Sequence, residues 1–179
     1  MPRTTSTTLV RAAPQGRRDR LVSRAPARVA PRPLLITTTT SVLALMLLVA
    51  LGAWMHETVL IPPLAATMAL IAGASATPLG QPRNVIGGQL VAAATGFLVL
   101  HLGGQGPWTA AVAGGLALGV MLLLRVSHSP AAATAVIVVL TNPPTGKFLA
   151  LLALATVILV LVGIAGNRLA KQAYPLYWW

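Results

Sequence analysis

Two proline-led segments of the sequence have residue types that suit the binding of a small anion. Pro63 and Pro130 each begin an apolar run, and Thr67 and Thr134 follow at matching places one turn later. Proline in the first turn of a helix costs no hydrogen bond, and the free N–H groups of that turn attract anions. Aligned at the two prolines, the segments read PLAATMAL and PAAATAVI. This repeat of interrupted apolar segments predicts a site where two membrane helices break.

Polar and basic residues at the borders of the two segments extend this candidate site. Arg83 and Asn84 follow the first segment, whereas His128 and Ser129 come just before Pro130. The whole chain has 13 lysines and arginines but only 2 acidic residues, a balance that favours an anion over a cation as ligand. We therefore predict a substrate-binding site formed by Thr67, Arg83, Asn84, His128, Ser129 and Thr134.

Each of these residues also has a plainer interpretation, which the sequence leaves open. Arg83 could extend to lipid headgroups instead of facing a ligand. The hydroxyls of Thr67 and Thr134 could bond back to a helix carbonyl one turn earlier. His128 could lie at the membrane interface and take no part in a site.

The composition places the chain in a membrane and excludes several kinds of chemistry. Hydrophobic residues make up 56% of the sequence and charged residues 8%, whereas about a quarter of the residues of a soluble domain are charged. The chain has no cysteine, and its 3 histidines and 2 acidic residues are scattered, so we expect no metal site and no cofactor. These residues provide no nucleophile with a supporting base, and we therefore expect that the protein is not an enzyme.

The first 33 residues differ from the rest of the chain. They carry eight of the 13 basic residues and no apolar period, which predicts a disordered basic tail in the cytoplasm, residues 1–33. A transit peptide is an alternative for this arginine-rich, acid-poor stretch. No aromatic residue is interleaved with the arginines, so we expect no nucleic acid as a partner.

Residues 34–170 form the predicted membrane domain, an all-α polytopic helix bundle with two internal repeats. Each repeat contains one proline-led segment, residues 60–76 or 130–140, of marginal length for spanning a bilayer. Residues 171–179 form a predicted aromatic C-terminus at the membrane interface. Four further runs have the length of full spans: residues 34–54, 85–102, 108–124 and 148–166.

The number of passages depends on the two proline-led segments. If both cross the membrane, the chain makes six passages in two repeats of opposite orientation. A cytoplasmic N-terminus then places Arg83 and Arg125 inside and Lys147 outside. If both segments are re-entrant, four spans place all three residues outside. The positive-inside rule therefore favours six passages, with both termini in the cytoplasm.

Glycine and alanine fill several apolar runs and predict close helix packing. Gly115 and Gly119 form a GxxxG pair, which we expect to pack against another helix of the same chain. A dimer contact at this pair is the alternative. A homo-oligomer is left open, because a small chain often needs a second copy to enclose a path.

Three stretches of the sequence resemble the HPP family of integral membrane proteins. They read PPLAAT at residues 62–67, QPRNVIGG at 81–88 and HSPAAATA at 128–135. The chain departs from the family pattern at Ser129, where the family's name motif has proline, and at Gln89, where a histidine often follows the two glycines. The resemblance covers the predicted membrane domain and implies a fold that is usually described with four transmembrane helices.

The resemblance also bears on function, since some plant relatives are associated with nitrite transport in plastids. We expect a multi-pass protein of the cell membrane that transports a small inorganic anion, nitrite or a similar oxyanion, as a transporter or channel. Membrane lipids are its other expected partners. The alternative is a non-transporting membrane protein that binds anionic lipid or a protein partner through the same basic residues.

Overall fold

The computed structural model describes residues 28–178, which form six α-helices joined by short connections. No strand occurs in this part of the chain, so the predicted all-α fold is confirmed. Most of the predicted basic tail, residues 1–27, lies outside the described residues, and the first helix begins three residues before the predicted start at residue 34. The helices are α1 (Pro31–Met55), α2 (Pro62–Gly73), α3 (Pro82–Gly103), α4 (Pro107–Leu123), α5 (Ser129–Thr141) and α6 (Thr145–Leu169).

Proline sets the start of most of these helices. Each of α1 to α5 has proline in its first or second position, where the missing N–H removes no helical hydrogen bond. A short 3₁₀ turn, Pro78–Gly80, lies between α2 and α3 and also begins with proline. The two proline-led segments of the sequence are therefore separate short helices, α2 and α5.

Contacts between helix ends define one end of the bundle, which we name the Lys147 end. Lys147, near the start of α6, forms an ion pair with Glu57, which follows α1. Gln105, between α3 and α4, donates a hydrogen bond to the carbonyl of Leu140 near the end of α5. Since α5 and α6 are joined by a short connection, all these helix ends lie at the same end of the bundle.

The opposite end of the bundle, which we name the Tyr174 end, holds the chain that follows α2 and α6. The hydroxyl of Ser75 donates to the side-chain oxygen of Gln172 over 3.0 Å. The hydroxyl of Tyr174 donates to the carbonyl of Gly80, also over 3.0 Å. The six described helices therefore alternate in direction between the two ends, which is the arrangement that six passages require.

Helix length divides the described helices into two groups. Three are long and apolar enough to cross a membrane: α1, α3 and α6, with 25, 22 and 25 residues. The helices α2 and α5 have 12 and 13 residues, about 18 and 20 Å, and are shorter than a hydrocarbon core of about 30 Å. Helix α4, predicted as a full span, has 17 residues and lies at the lower limit. The number of passages therefore stays a prediction.

Small residues bring the helices close together in the interior but also lie on the surface. A methyl group at Gly96 of α3 would lie 2.9 Å from the backbone of Ala135 in α5, an approach typical of helix packing in lipid. Gly115 and Gly119 of α4, in contrast, are exposed, and a methyl group at either position would meet none of the described atoms within 4 Å. The expectation that this GxxxG pair packs within the chain is therefore wrong.

Two apolar cores surround the place where the short helices meet. One core joins α1, α2 and α6 and includes the buried side chains of Leu64 and Leu159. The other joins α3, α4 and α5 and includes Met121 and Ala135. The first core also includes Val85 and Ala93 of α3 and Val138 of α5, so α2 meets α3 and α5 through apolar as well as polar side chains.

Candidate functional site

Four fully buried polar side chains form a hydrogen-bonded cluster inside the bundle, which we name the polar cluster. Its members are Thr67 of α2, Gln89 of α3, His128 immediately before α5, and Thr134 of α5, each with 0% exposure. His128 Nε2 lies 2.8 Å from Thr67 Oγ1, and Gln89 Nε2 donates to the same oxygen over 3.0 Å. The hydroxyl of Thr134 donates to Gln89 Oε1. Gln89 thus joins the two proline-led helices.

The local sequence explains why these side chains meet. Pro63, the second residue of α2, lies one turn before Thr67, and the Thr67 hydroxyl lies 2.8 Å from the Pro63 carbonyl oxygen. Gly88 allows α3 to approach the residue before α5, since a methyl group at this position would lie 2.6 Å from His128 Cβ. A glycine next to Gln89 therefore sets the distance between the amide and the imidazole.

The other ring nitrogen of His128 ties the polar cluster to the break between α2 and α3. Nδ1 lies 2.8 Å from the carbonyl oxygen of Leu79, which belongs to the 3₁₀ turn. A carbonyl oxygen only accepts hydrogen bonds, so Nδ1 carries a proton. In the neutral ring Nε2 is then an acceptor, and the hydroxyl of Thr67 donates to it.

The polar cluster is buried in the interior of the bundle, and through His128 it borders the 3₁₀ turn at the Tyr174 end. Thr67 and Thr134 are each the sixth residue of a short helix, and Gln89 is the eighth residue of α3, about 10 Å from its start. Polar groups at this depth in a membrane are costly unless they are paired, and they commonly mark a functional site. All four members are hydrogen-bonded within the polar cluster, so in this structure none of their side chains is open to a ligand.

The structure brings together three of the six predicted site residues. Thr67, His128 and Thr134 are members of the polar cluster. The two threonines do not bond to each other directly, because the side chain of Gln89 lies between them. The two proline-led helices thus approach each other inside the bundle, whereas binding of a substrate by these residues stays a prediction.

The other three predicted residues lie outside the polar cluster. Asn84 donates to the carbonyl of Pro78 over 2.9 Å and fastens the 3₁₀ turn. Ser129 is exposed. Arg83 is half-buried at the Tyr174 end, six residues before Gln89 and about 9 Å from it along α3, where it lines a groove with Trp178.

Sequence reasoning missed Gln89 as a member of the site. The residue has 0% exposure although it carries an amide, and both of its polar atoms are bonded within the polar cluster. The signal that could have found it is a lone amide in an apolar run, eight residues into a helix. An amide side chain is buried in an apolar interior only where it has hydrogen-bond partners.

The two ends of the bundle are built differently. At the Lys147 end a cavity of about 360 Å³ lies between the α1–α2 and α5–α6 connections, lined by Glu57, Lys147 and apolar side chains such as Ile61. At the Tyr174 end the chain after α6 folds back, and the Leu176 N–H donates to the buried side chain of Gln81 over 2.8 Å. Burial raises the pKa of Tyr174, so its hydroxyl stays protonated as a donor.

An apolar bundle with a paired polar cluster in its interior is the architecture of a polytopic integral membrane protein. The chain matches the family model described as HPP, transmembrane region, over residues 26–175. It therefore belongs to this family of membrane proteins.

Two transmembrane proteins of Dictyostelium discoideum are similar to the chain. One is 31% identical over 130 residues, which are 68% of this chain and 46% of the relative. The other is 31% identical over 124 residues, which are 64% of this chain and 40% of the relative. The chain thus spans less than half the length of these curated relatives. No solved structure matches it significantly.

Proposed function

We propose that the protein transports a small inorganic anion, with nitrite or a similar oxyanion as the leading substrate, as a transporter or channel of the cell membrane. The observation that carries the proposal is the polar cluster, in which four buried polar side chains meet between α2, α3 and α5. Apolar side chains at the same positions would stabilise the bundle more than these buried polar groups do. A function in binding therefore explains the polar cluster best.

The chemistry of the polar cluster suits an oxyanion. Its hydrogen-bond donors are two hydroxyls, one amide and one imidazole. Donors without a permanent charge bind an anion weakly enough to release it again, as conduction requires. The described residues contain a single carboxylate, Glu57, at the Lys147 end, so no acid repels an anion in the interior.

The proposed path enters through the cavity at the Lys147 end. Lys147 lines this cavity, and its ammonium group is paired with Glu57. An arriving anion competes with the carboxylate for Lys147 and then moves between α2 and α5 toward Thr134. The four members of the cluster must separate to admit it, since each is now paired with another member.

Uptake of radiolabelled or dye-detected nitrite into liposomes that contain the purified protein tests this proposal. We expect uptake above that of protein-free liposomes, and saturation as the nitrite concentration increases. Uptake equal to the protein-free background for nitrite, nitrate and chloride would contradict the proposal. Uptake rates of inorganic anions of different size, compared in the same assay, show which class of anion is the substrate.

The groove at the Tyr174 end favours the alternative function, binding of an anionic lipid without transport. It has a volume of about 300 Å³, and its walls combine apolar side chains with Arg83 and Trp178. An acyl chain fits against such walls, and a phosphate group lies well beside a guanidinium and an indole N–H. Copurification of phosphatidylglycerol that is lost in Arg83→Gln, together with no anion flux, would support this function instead.

A further inference from the structure

We infer that the polar cluster binds a proton together with each anion, with His128 as the proton-binding group, so that transport is symport of a proton and an anion. This inference rests on the proposed anion transport and adds its coupling ion. The observation behind it is the hydrogen-bond pattern around His128. A second proton on the ring, at Nε2, could be donated to the Thr67 oxygen without movement of any heavy atom.

The neutral ring is fully paired in the structure. Nδ1–H donates to the carbonyl of Leu79, and Nε2 accepts from the hydroxyl of Thr67. The oxygen of Thr67 accepts at the same time from the Gln89 amide. In this state the Thr67 hydroxyl does not donate to Pro63, whose carbonyl lies 2.8 Å away.

The protonated ring is fully paired as well, without movement of any heavy atom. Nε2–H then donates to Thr67 Oγ1, which still accepts from Gln89 and thus uses both of its lone pairs. The hydroxyl hydrogen of Thr67 rotates to the Pro63 carbonyl oxygen, 2.8 Å away. A structural histidine needs only one of these two arrangements, whereas a group that gains and loses a proton needs both.

The charged groups around His128 explain why the proton and the anion travel together. Helix α2 and helix α4 contribute no titratable side chain, and α3 contributes Arg83 and His101, near its two ends. The exposed Arg125 precedes His128 in the connection from α4, and Tyr174 bonds to Gly80 next to Leu79. None of these groups is a carboxylate.

A proton on His128 is therefore a buried charge without a counterion, and burial disfavours it. An anion in the polar cluster without the proton meets only neutral donors and is also disfavoured by its loss of water. When both are present, each supplies the counterion of the other. The proton forms an N–H bond at Nε2 on entry and leaves the same nitrogen on exit, and the anion undergoes no covalent change.

Liposomes that contain the purified protein distinguish symport from transport of the anion alone. Nitrite uptake is measured under an inward proton gradient at zero potential, and under a potassium–valinomycin potential without a proton gradient. Uptake by protein-free liposomes is subtracted to remove leakage of nitrous acid, and nitrate, whose acid is too strong to leak, is tested beside nitrite. We expect the proton gradient to increase the initial rate and the potential to leave it unchanged, because the two charges cancel.

Proton movement in step with the anion is the direct measure. In a weakly buffered external medium, nitrite uptake should raise the external pH at the same rate as nitrite disappears. Uptake that follows the potential and leaves the external pH constant would overturn the inference while it upholds anion transport. Absence of protein-dependent uptake of any anion would overturn the proposed function itself.

A pair of histidine variants locates the proton-binding group. His128→Gln keeps hydrogen-bonding capacity but cannot hold the proton, so the response to the proton gradient should be lost. His101→Gln changes an exposed histidine on α3 and should keep the response. An unchanged response in His128→Gln would overturn the assignment. If this variant does not fold, the pH measurement on the unchanged protein decides.

Discussion

Thr67 links the members of the polar cluster, because its single oxygen lies within hydrogen-bond distance of three other groups. These are the Pro63 carbonyl, the Nε2 atom of His128 and the amide of Gln89. A hydroxyl is the smallest group that donates and accepts at once, so serine is the one replacement with the same capacity.

Replacement of Thr67 by valine should lower the thermal stability of the purified protein. Valine keeps the shape of the side chain but leaves His128 and Gln89 without their shared partner, and a buried unsatisfied group costs about 1–3 kcal/mol. Thr67→Ser should restore most of the loss. Thr95→Val is the matched control, since the Thr95 hydroxyl bonds back to the Val91 carbonyl of its own helix. Equal unfolding midpoints for the two valine variants would contradict the role of Thr67.

Replacement of Gly88 by alanine should displace His128. The new methyl group would lie 2.6 Å from His128 Cβ and 2.7 Å from the Val126 carbonyl oxygen, and overpacking of this kind costs about 1–3 kcal/mol. Gly115→Ala is the control, because a methyl group there meets no described atom within 4 Å. Its higher helix propensity should raise stability by up to about 1 kcal/mol. Unfolding midpoints that shift in the same direction would count against this explanation.

The sequence alone predicts the two threonines of the polar cluster that lie in the proline-led segments, and it misses Gln89, which lies outside them. Thr67 and Thr134 follow a proline by a fixed spacing, and spacing within a helix start determines where a side chain lies. No local sequence pattern identifies Gln89 as a member of the polar cluster, because its position depends on how α3 packs against two other helices. Arg83 is near the first segment in the chain but lies about 9 Å from Gln89 along α3, since a helix separates residues by 1.5 Å each.

At the scale of the helices, proline predicts the starts well and the sequence says less about the ends. The second segment, predicted at residues 130–140, is the helix Ser129–Thr141, while the first, predicted at 60–76, is the shorter helix Pro62–Gly73. Helix α5 ends at Thr141, and the next residue, Asn142, has a φ of 44° in the left-handed region that asparagine tolerates. The direction of each helix depends on contacts such as Ser75 with Gln172, which no local pattern encodes.

The C-terminal segment should hold the 3₁₀ turn in place. Tyr174→Phe removes the hydrogen bond to Gly80, worth about 0.5–1.5 kcal/mol, and should increase hydrogen exchange in residues 74–81. Because Leu79 accepts from His128, the polar cluster should be loosened as well. Tyr177→Phe is the control at a side chain that is 38% exposed. The same exchange rates in both variants would show that the segment does not hold the turn.

At the scale of the whole molecule, basic residues are unevenly divided between the two ends. The Lys147 end carries Lys147, whose charge is paired with Glu57. The Tyr174 end carries the basic residues at the starts and ends of the helices that meet there: Arg32, Arg83, Arg125, Arg168 and Lys171. The positive-inside rule therefore predicts that the Tyr174 end faces the cytoplasm.

Labelling of single cysteines tests the number of passages, and the chain has no native cysteine to interfere. Ala76, between α2 and α3, and Ala173, after α6, are both exposed at the Tyr174 end. With six passages, cysteines at these two positions should react with a membrane-impermeant reagent from the same side, and a cysteine at Gln105 from the other side. Labelling at residues 76 and 173 from opposite sides would establish the re-entrant arrangement with four spans.

Anion uptake by paired variants of α5 tests most directly whether the polar cluster is the anion site. Thr134→Val removes a donor of the cluster, and loss of a hydrogen bond to a charged group costs about 1.5–3 kcal/mol, roughly a ten- to hundredfold weaker apparent affinity. Ser129→Ala changes an exposed residue of the same helix and should leave nitrite uptake unchanged. Equal uptake by correctly folded Thr134→Val and Ser129→Ala, in liposomes with matched protein content, would contradict the account.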